Sequence, residues 1–202
     1  MAGPPQDLRN QLPRLRAKQL VRVAFVFVFC LAAWFVFRQP YLESVARASS
    51  PILRHFIDSS GQRAIKLDGD TLVVNSGLAS PRGEGRMLSL RVDGLYQTGW
   101  NALLLGVLIG LTAWPVLNAS KRWVLFAVLV VWLTQVATLG LTAVERVADF
   151  YAAQGLALTG DAARRAIGGV NQYLMLLTPF LPVLVMLPVW YRGYAPERKS
   201  GD

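Results

Sequence analysis

WVLFAVLVVWLTQVATLGLTAV, residues 123–144, contains no charged side chain. About 20 such residues carry an α-helix across roughly 30 Å of hydrocarbon, so this stretch predicts a transmembrane helix. Working outward, residues 99–117 and 170–191 repeat the pattern. A shorter apolar run, residues 23–38, lies beside Arg22 and closes on Arg38, and both guanidinium groups can snorkel to lengthen the crossing. The expected fold class is mostly α and integral to the membrane, with four transmembrane helices. A small external β-hairpin module is expected between the first two.

The net charge of +9 follows the same plan. Residues 1–22, 118–122 and 192–202 together hold ten Lys or Arg against three acids, whereas residues 39–98 and 145–169 hold ten against nine. Lys and Arg in short segments near span ends stay on the cytoplasmic side, so both termini and the 118–122 link are expected inside. The 39–98 and 145–169 segments are then periplasmic, and the chain is expected in a bacterial inner membrane. Membrane lipid is the first partner this implies, since juxtamembrane basic residues attract anionic headgroups. Nucleic acid is not expected, because the basic residues are scattered and not interleaved with stacking aromatics.

Composition closes several chemical routes. Cys30 is the only cysteine, which excludes an intrachain disulfide and a thiolate cluster. The only histidine, His55, lies far along the chain from it, so the two do not form a nucleophile–base pair. Glu145 and Asp149 share a helix face four residues apart and could serve as acid and base, but beside Arg146 they read as a solvated interfacial face. Asp68 and Asp70 flank Gly69 without the further oxygens a calcium loop needs. The chain is expected not to be an enzyme and to take no metal or cofactor. The basic N-terminus with its apolar run reads as a retained signal anchor.

Within the external segment, Tyr41 to Ile57 carries apolar residues at helical spacing with Pro51 interrupting, which predicts two short amphipathic segments. Residues 63–67 and 71–74 then alternate around Asp68-Gly69-Asp70, and residues 86–92 alternate again. Strand periodicity puts Ile65 and Leu67 on one face of the first strand and Leu72 and Val74 on one face of the second. That apolar surface is too small to stand alone and should dock on the bundle or a partner. Asn75-Ser76-Gly77 reads as loop.

Inside the spans, Ala102, Gly106 and Gly110 recur every four residues on one helix face and predict close backbone approach. An intramolecular contact and a homo-oligomer seam obey the same physics, so both readings stand. Asn101, Gln135, Asn171 and Gln172 are the polar residues expected to hydrogen-bond across the bundle. Pro179, Pro182 and Pro188 predict a kinked fourth span.

The order of these parts carries a family likeness. Ser89-Leu90-Arg91-Val92-Asp93-Gly94-Leu95-Tyr96 leading into Asn101-Ala102-Leu103-Leu104, then Gln135, Asn171-Gln172-Tyr173 and Thr178-Pro179-Phe180-Leu181-Pro182-Val183-Leu184, resembles the exosortase H-associated membrane proteins. The resemblance implies an inner-membrane accessory protein of an exosortase-type protein-sorting system, with an exosortase as its membrane partner. It transfers no catalytic residue, and the external Cys, Arg and His set of an exosortase itself is missing from this chain. The alternative from a different class is a small membrane transporter or channel component.

Overall fold

The computed structural model describes residues 6–56, 65–68, 71–79, 87–92, 96–155 and 160–194. The elements run α1 (Gln6–Phe56), β1 (Ile65–Asp68), β2 (Thr71–Ala79), β3 (Met87–Val92), α2 (Tyr96–Leu111), α3 (Trp114–Ala119), α4 (Lys121–Ala153), α5 (Asp161–Leu177) and α6 (Leu181–Tyr194). Among the described residues, α1 and α4 are long and apolar enough to cross a membrane. The pair α5–α6 makes a third span if it is counted as one, and Gly99–Leu111 is a shorter apolar helix.

The 51 residues of α1 form one helix, about 75 Å long at 1.5 Å per residue. The expected interruption at Pro51 does not occur, and Pro40 is helical as well. Each proline removes one backbone donor, but tertiary packing outweighs that loss. Leu42, Val45, Ala46 and Leu53 are all buried in the same stretch. Ser49 and Ser50 also return hydroxyl hydrogen bonds to the carbonyls of Val45 and Ala46.

The 99–117 run is divided where it was expected to be continuous. Pro115 would drive its ring against the carbonyl of Leu111, four residues back, so α2 stops there and α3 restarts after an extended Ala113. The carbonyl left open at Leu111 accepts from the Arg22 guanidinium at 3.2 Å. A similar cause divides the 170–191 run. Pro179 and Pro182 bracket the break between α5 and α6, and the two helices meet at 55°. Pro188 is carried inside α6.

Helix directions follow from paired contacts. Along α1, Arg22, Val26, Cys30 and Trp34 lie against Leu111, Gly110, Gly106 and Gly99 in turn, so α1 and α2 are antiparallel. Tyr41, Ser49 and Ile52 meet Gln135, Val136 and Gly140, which makes α1 and α4 parallel where they touch. Asn171 and Arg164 of α5 meet Thr142 and Asp149, while Val189 of α6 meets Ser120. The bent α5–α6 pair therefore runs the length of α4 in the opposite sense and does not fold back on itself.

Two apolar cores result, both on α4. One gathers Leu105, Val116, Ala127, Val131, Met186 and Val189 toward the Arg22 end. The other gathers Leu42, Val45, Leu53, Leu139, Val144, Val147, Tyr151 and Ile167 toward the sheet end. Helices α4 and α5 extend through most of residues 145–169, which the apolar pattern leaves as loop.

The strands form an antiparallel sheet in the order β1-β2-β3, with Ile65 opposite Val74 and Leu67 opposite Leu72. Strand β2 runs on through Asn75-Ser76-Gly77, contrary to the loop expectation, and the register shift against β3 between Asn75 and Ala79 absorbs those residues. The turn residues Gly69 and Asp70 lie outside the described residues.

Candidate functional site

Several polar residues of the helices meet in two seams along α4. In the first, α1 presents Tyr41, Ser44 and Ser49 to α4. The Tyr41 hydroxyl donates to Gln135 Oε1, and Gln135 is almost fully buried. Ser49 Oγ lies 2.8 Å from both the Val45 and Val136 carbonyls, so one hydroxyl ties the two helices. Trp132 Nε1 donates to Ser44 Oγ at 3.2 Å. Close approach is permitted by Gly140, where a Cβ would lie 2.8 Å from Ile52 Cδ1.

The second seam joins α4 to α5. Thr142, Glu145 and Asp149 follow helical spacing on α4, and Arg164, Gly168 and Asn171 do so on α5. Buried Asn171 donates from Nδ2 to Glu145 Oε2 at 2.7 Å and to Thr142 Oγ1 at 3.2 Å. Thr142 Oγ1 in turn lies 3.3 Å from Asn171 Oδ1. Gly168 leaves room for the Glu145 carboxylate, whose Oε1 would sit 3.3 Å from an added Cβ. Asp149 pairs with Arg164, Nη2 to Oδ1 being 2.9 Å, in a half-exposed position.

The expected interhelical polar residues thus divide. Gln135 and Asn171 bridge helices, Asn101 is buried in α2, and Gln172 is exposed. Sequence spacing alone missed Ser49, Thr142 and Arg164. Thr142 lies four residues from Thr138 and three from Glu145, and that periodic polar track down α4 was the available signal. Arg146, the expected neighbour of the two acids, is exposed, and Arg164 takes the place beside Asp149. Both carboxylates are held by protein donors. His55 packs edge-on against Phe56 and Cys30 lies against α2.

The small-residue stripe faces α1, and its members differ. At Gly110 a Cβ would lie 2.7 Å from Val26 Cγ1, a tight contact, whereas at Gly106 the nearest atom is Cys30 Sγ at 3.9 Å. Beside Gly106 the two helices border a groove of about 260 Å³ lined by Cys30, Ala33, Trp34, Phe37, Tyr41, Ala102, Leu103 and Gly106.

At the sheet, Val74 is completely buried and belongs to the same core as Leu42, Val45 and Leu53. The side chains of Ile65, Leu67 and Leu72 lie outside the described residues. Asp68 is exposed and 3.9 Å from Arg91. Among the described residues no group of three His, Cys, Asp or Glu side chains is placed to hold a metal ion.

Comparison with known proteins finds no family model, no curated protein and no solved structure that matches the chain.

Proposed function

We propose that this chain is a four-span inner-membrane accessory protein that uses its sheet-end projection to hold a larger membrane partner. The partner we favour, on the motif resemblance, is an exosortase-type sorting protease. One observation carries the reading: the buried Gln135 and Asn171 are paired with side chains of neighbouring helices. Gln135 takes the Tyr41 hydroxyl, and Asn171 is shared between Thr142 and Glu145. Buried polar groups joined in this way fix helix positions, whereas a conduction pathway presents such groups to the passing solute. The same pairing favours a scaffold over the transporter alternative.

The second support is the projection. Helices α1 and α4 both exceed the length needed to cross about 30 Å of hydrocarbon, and their apolar core at the sheet end extends through Tyr151 and takes in Val74. A rigid platform outside the bilayer suits a binding role. Four spans follow if α2 crosses with its inner end closed by α3, and the basic segments favour an orientation with both termini in the cytoplasm.

Affinity purification of the full chain in mild detergent, followed by mass spectrometry, tests the proposal. The expected result is stoichiometric recovery of an exosortase-type protein that is lost when Val74 is replaced by Asp. Recovery of the chain alone from a host that expresses that protein, or solute flux through liposomes containing only this chain, overturns it.

A further inference from the structure

We propose that the groove between α1 and α2 is a binding site for one phospholipid of the leaflet on the sheet side, with an acyl chain in the groove and the phosphate beside Arg38. The proposal does not depend on the identity of any protein partner.

Length is the first reason. The groove follows α1 from Cys30 to Tyr41, about 16 Å of helix, which is half the roughly 30 Å hydrocarbon thickness. Arg22, whose guanidinium caps α2, lies about 12 Å before Cys30, so the groove starts near mid-bilayer and ends near one surface. A single leaflet's chain has that reach.

Its shape is the second. The floor is cut by Gly106 and Ala102, and the volume of about 260 Å³ exceeds the roughly 150 Å³ of an apolar cavity that accepts benzene. The walls are held before any ligand arrives. Gly99 lets the Trp34 ring lie against α2, Trp34 meets Tyr41 edge-on with centroids 5.7 Å apart, and Tyr41 is anchored on Gln135. The other flank of α1 faces outward, with Phe35 and Val36 each more than 60% exposed, and Phe37 at the rim of the groove is exposed to the same degree. The groove therefore opens sideways into hydrocarbon.

The third reason is polarity along its length. Cys30 and Ala33 line the deep end, while Trp34 and Tyr41 line the outer end, where amphipathic rings sit at headgroup depth. Arg38, one turn beyond Trp34, stands on the flank of that end. It already interacts within the fold, and a guanidinium has five donors, enough to take a phosphate as well.

The test uses the full chain in nanodiscs of phosphatidylethanolamine and phosphatidylglycerol doped with a phospholipid carrying a photoactivatable diazirine on its acyl chain. Adducts are expected to concentrate on Cys30, Trp34 and Gly106 over exposed Ala32 on the other flank of α1, and native mass spectrometry should show one retained phospholipid. Gly106→Phe fills the floor and should abolish both, while Ala32→Phe leaves both unchanged. Arg38→Gln should lower retention but keep the adduct pattern. Equal labelling of the two flanks in the unmodified chain overturns the proposal whatever the variants do. So does Gly106→Phe releasing a bound protein with lipid retention unchanged, which assigns the groove to a partner helix.

Discussion

A single hydroxyl or methyl decides much of this bundle. Tyr41 and Gln135 are 94 residues apart in sequence and share one hydrogen bond at the α1–α4 contact. Tyr41→Phe and Gln135→Leu should each lower stability by about 1 kcal/mol, near the upper range for hydrogen bonds between membrane helices. Their double mutant should lose less than the sum, because each removes the same bond. Thermal unfolding of the four proteins in one detergent measures this, and strict additivity would show that the bond adds nothing. Val74 makes a sharper case. It is fully buried at the junction of sheet and helices, so Val74→Asp places a charge among apolar side chains and should cost about 3 kcal/mol or more. Arg91→Ala should stay within about 0.5 kcal/mol, since its partner Asp68 is 3.9 Å away and both are exposed. Similar losses in the two variants would mean the sheet is not docked through Val74.

At the level of elements, the apolar runs were legible and their ends were not. A run of residues such as 123–144 reports the part of a helix in contact with hydrocarbon, whereas α4 continues to Ala153 on the strength of Val147, Ala148 and Tyr151 buried outside that run. Pro51 read as a stop because local propensity is all that one sequence displays. Its neighbours Ile52 and Leu53 find partners on α4, and those contacts are set by residues far away in the chain. At Pro115 the same reasoning under-read the break, since apolarity on both sides masked a helix end. The stripe of small residues was legible as a close approach to another helix, but not as two different things, a tight contact at Gly110 and an open floor at Gly106. Gly106→Ala should therefore be neutral within about 0.5 kcal/mol, and Gly110→Ala should cost about 1–3 kcal/mol by overpacking against Val26. Val26→Ala in the Gly110→Ala background should restore most of the loss. Equal midpoints for the two glycine variants would remove the distinction.

For the whole molecule, the basic segments predict a sidedness that labelling can test. In a Cys30→Ser background, cysteines at positions 68 and 145 should react with an impermeant maleimide on intact cells, and a cysteine at position 121 only after the cytoplasm is opened. Labelling of position 68 only in opened cells would reverse the orientation. The long α1 also sets an order in time. The residues that close over Tyr41, Ser44 and Ser49 belong to α4, and chains are made from the N-terminus at about 5–20 residues per second, so the 94 residues from Tyr41 to Gln135 take about 5–20 seconds. Throughout that interval the nascent chain carries Leu42, Val45 and Leu53 on a bare helix face with its permanent cover still inside the ribosome. A newborn molecule of this kind needs an escort at the translocon, or a lipid surface to lie against, before it has a fold to protect it.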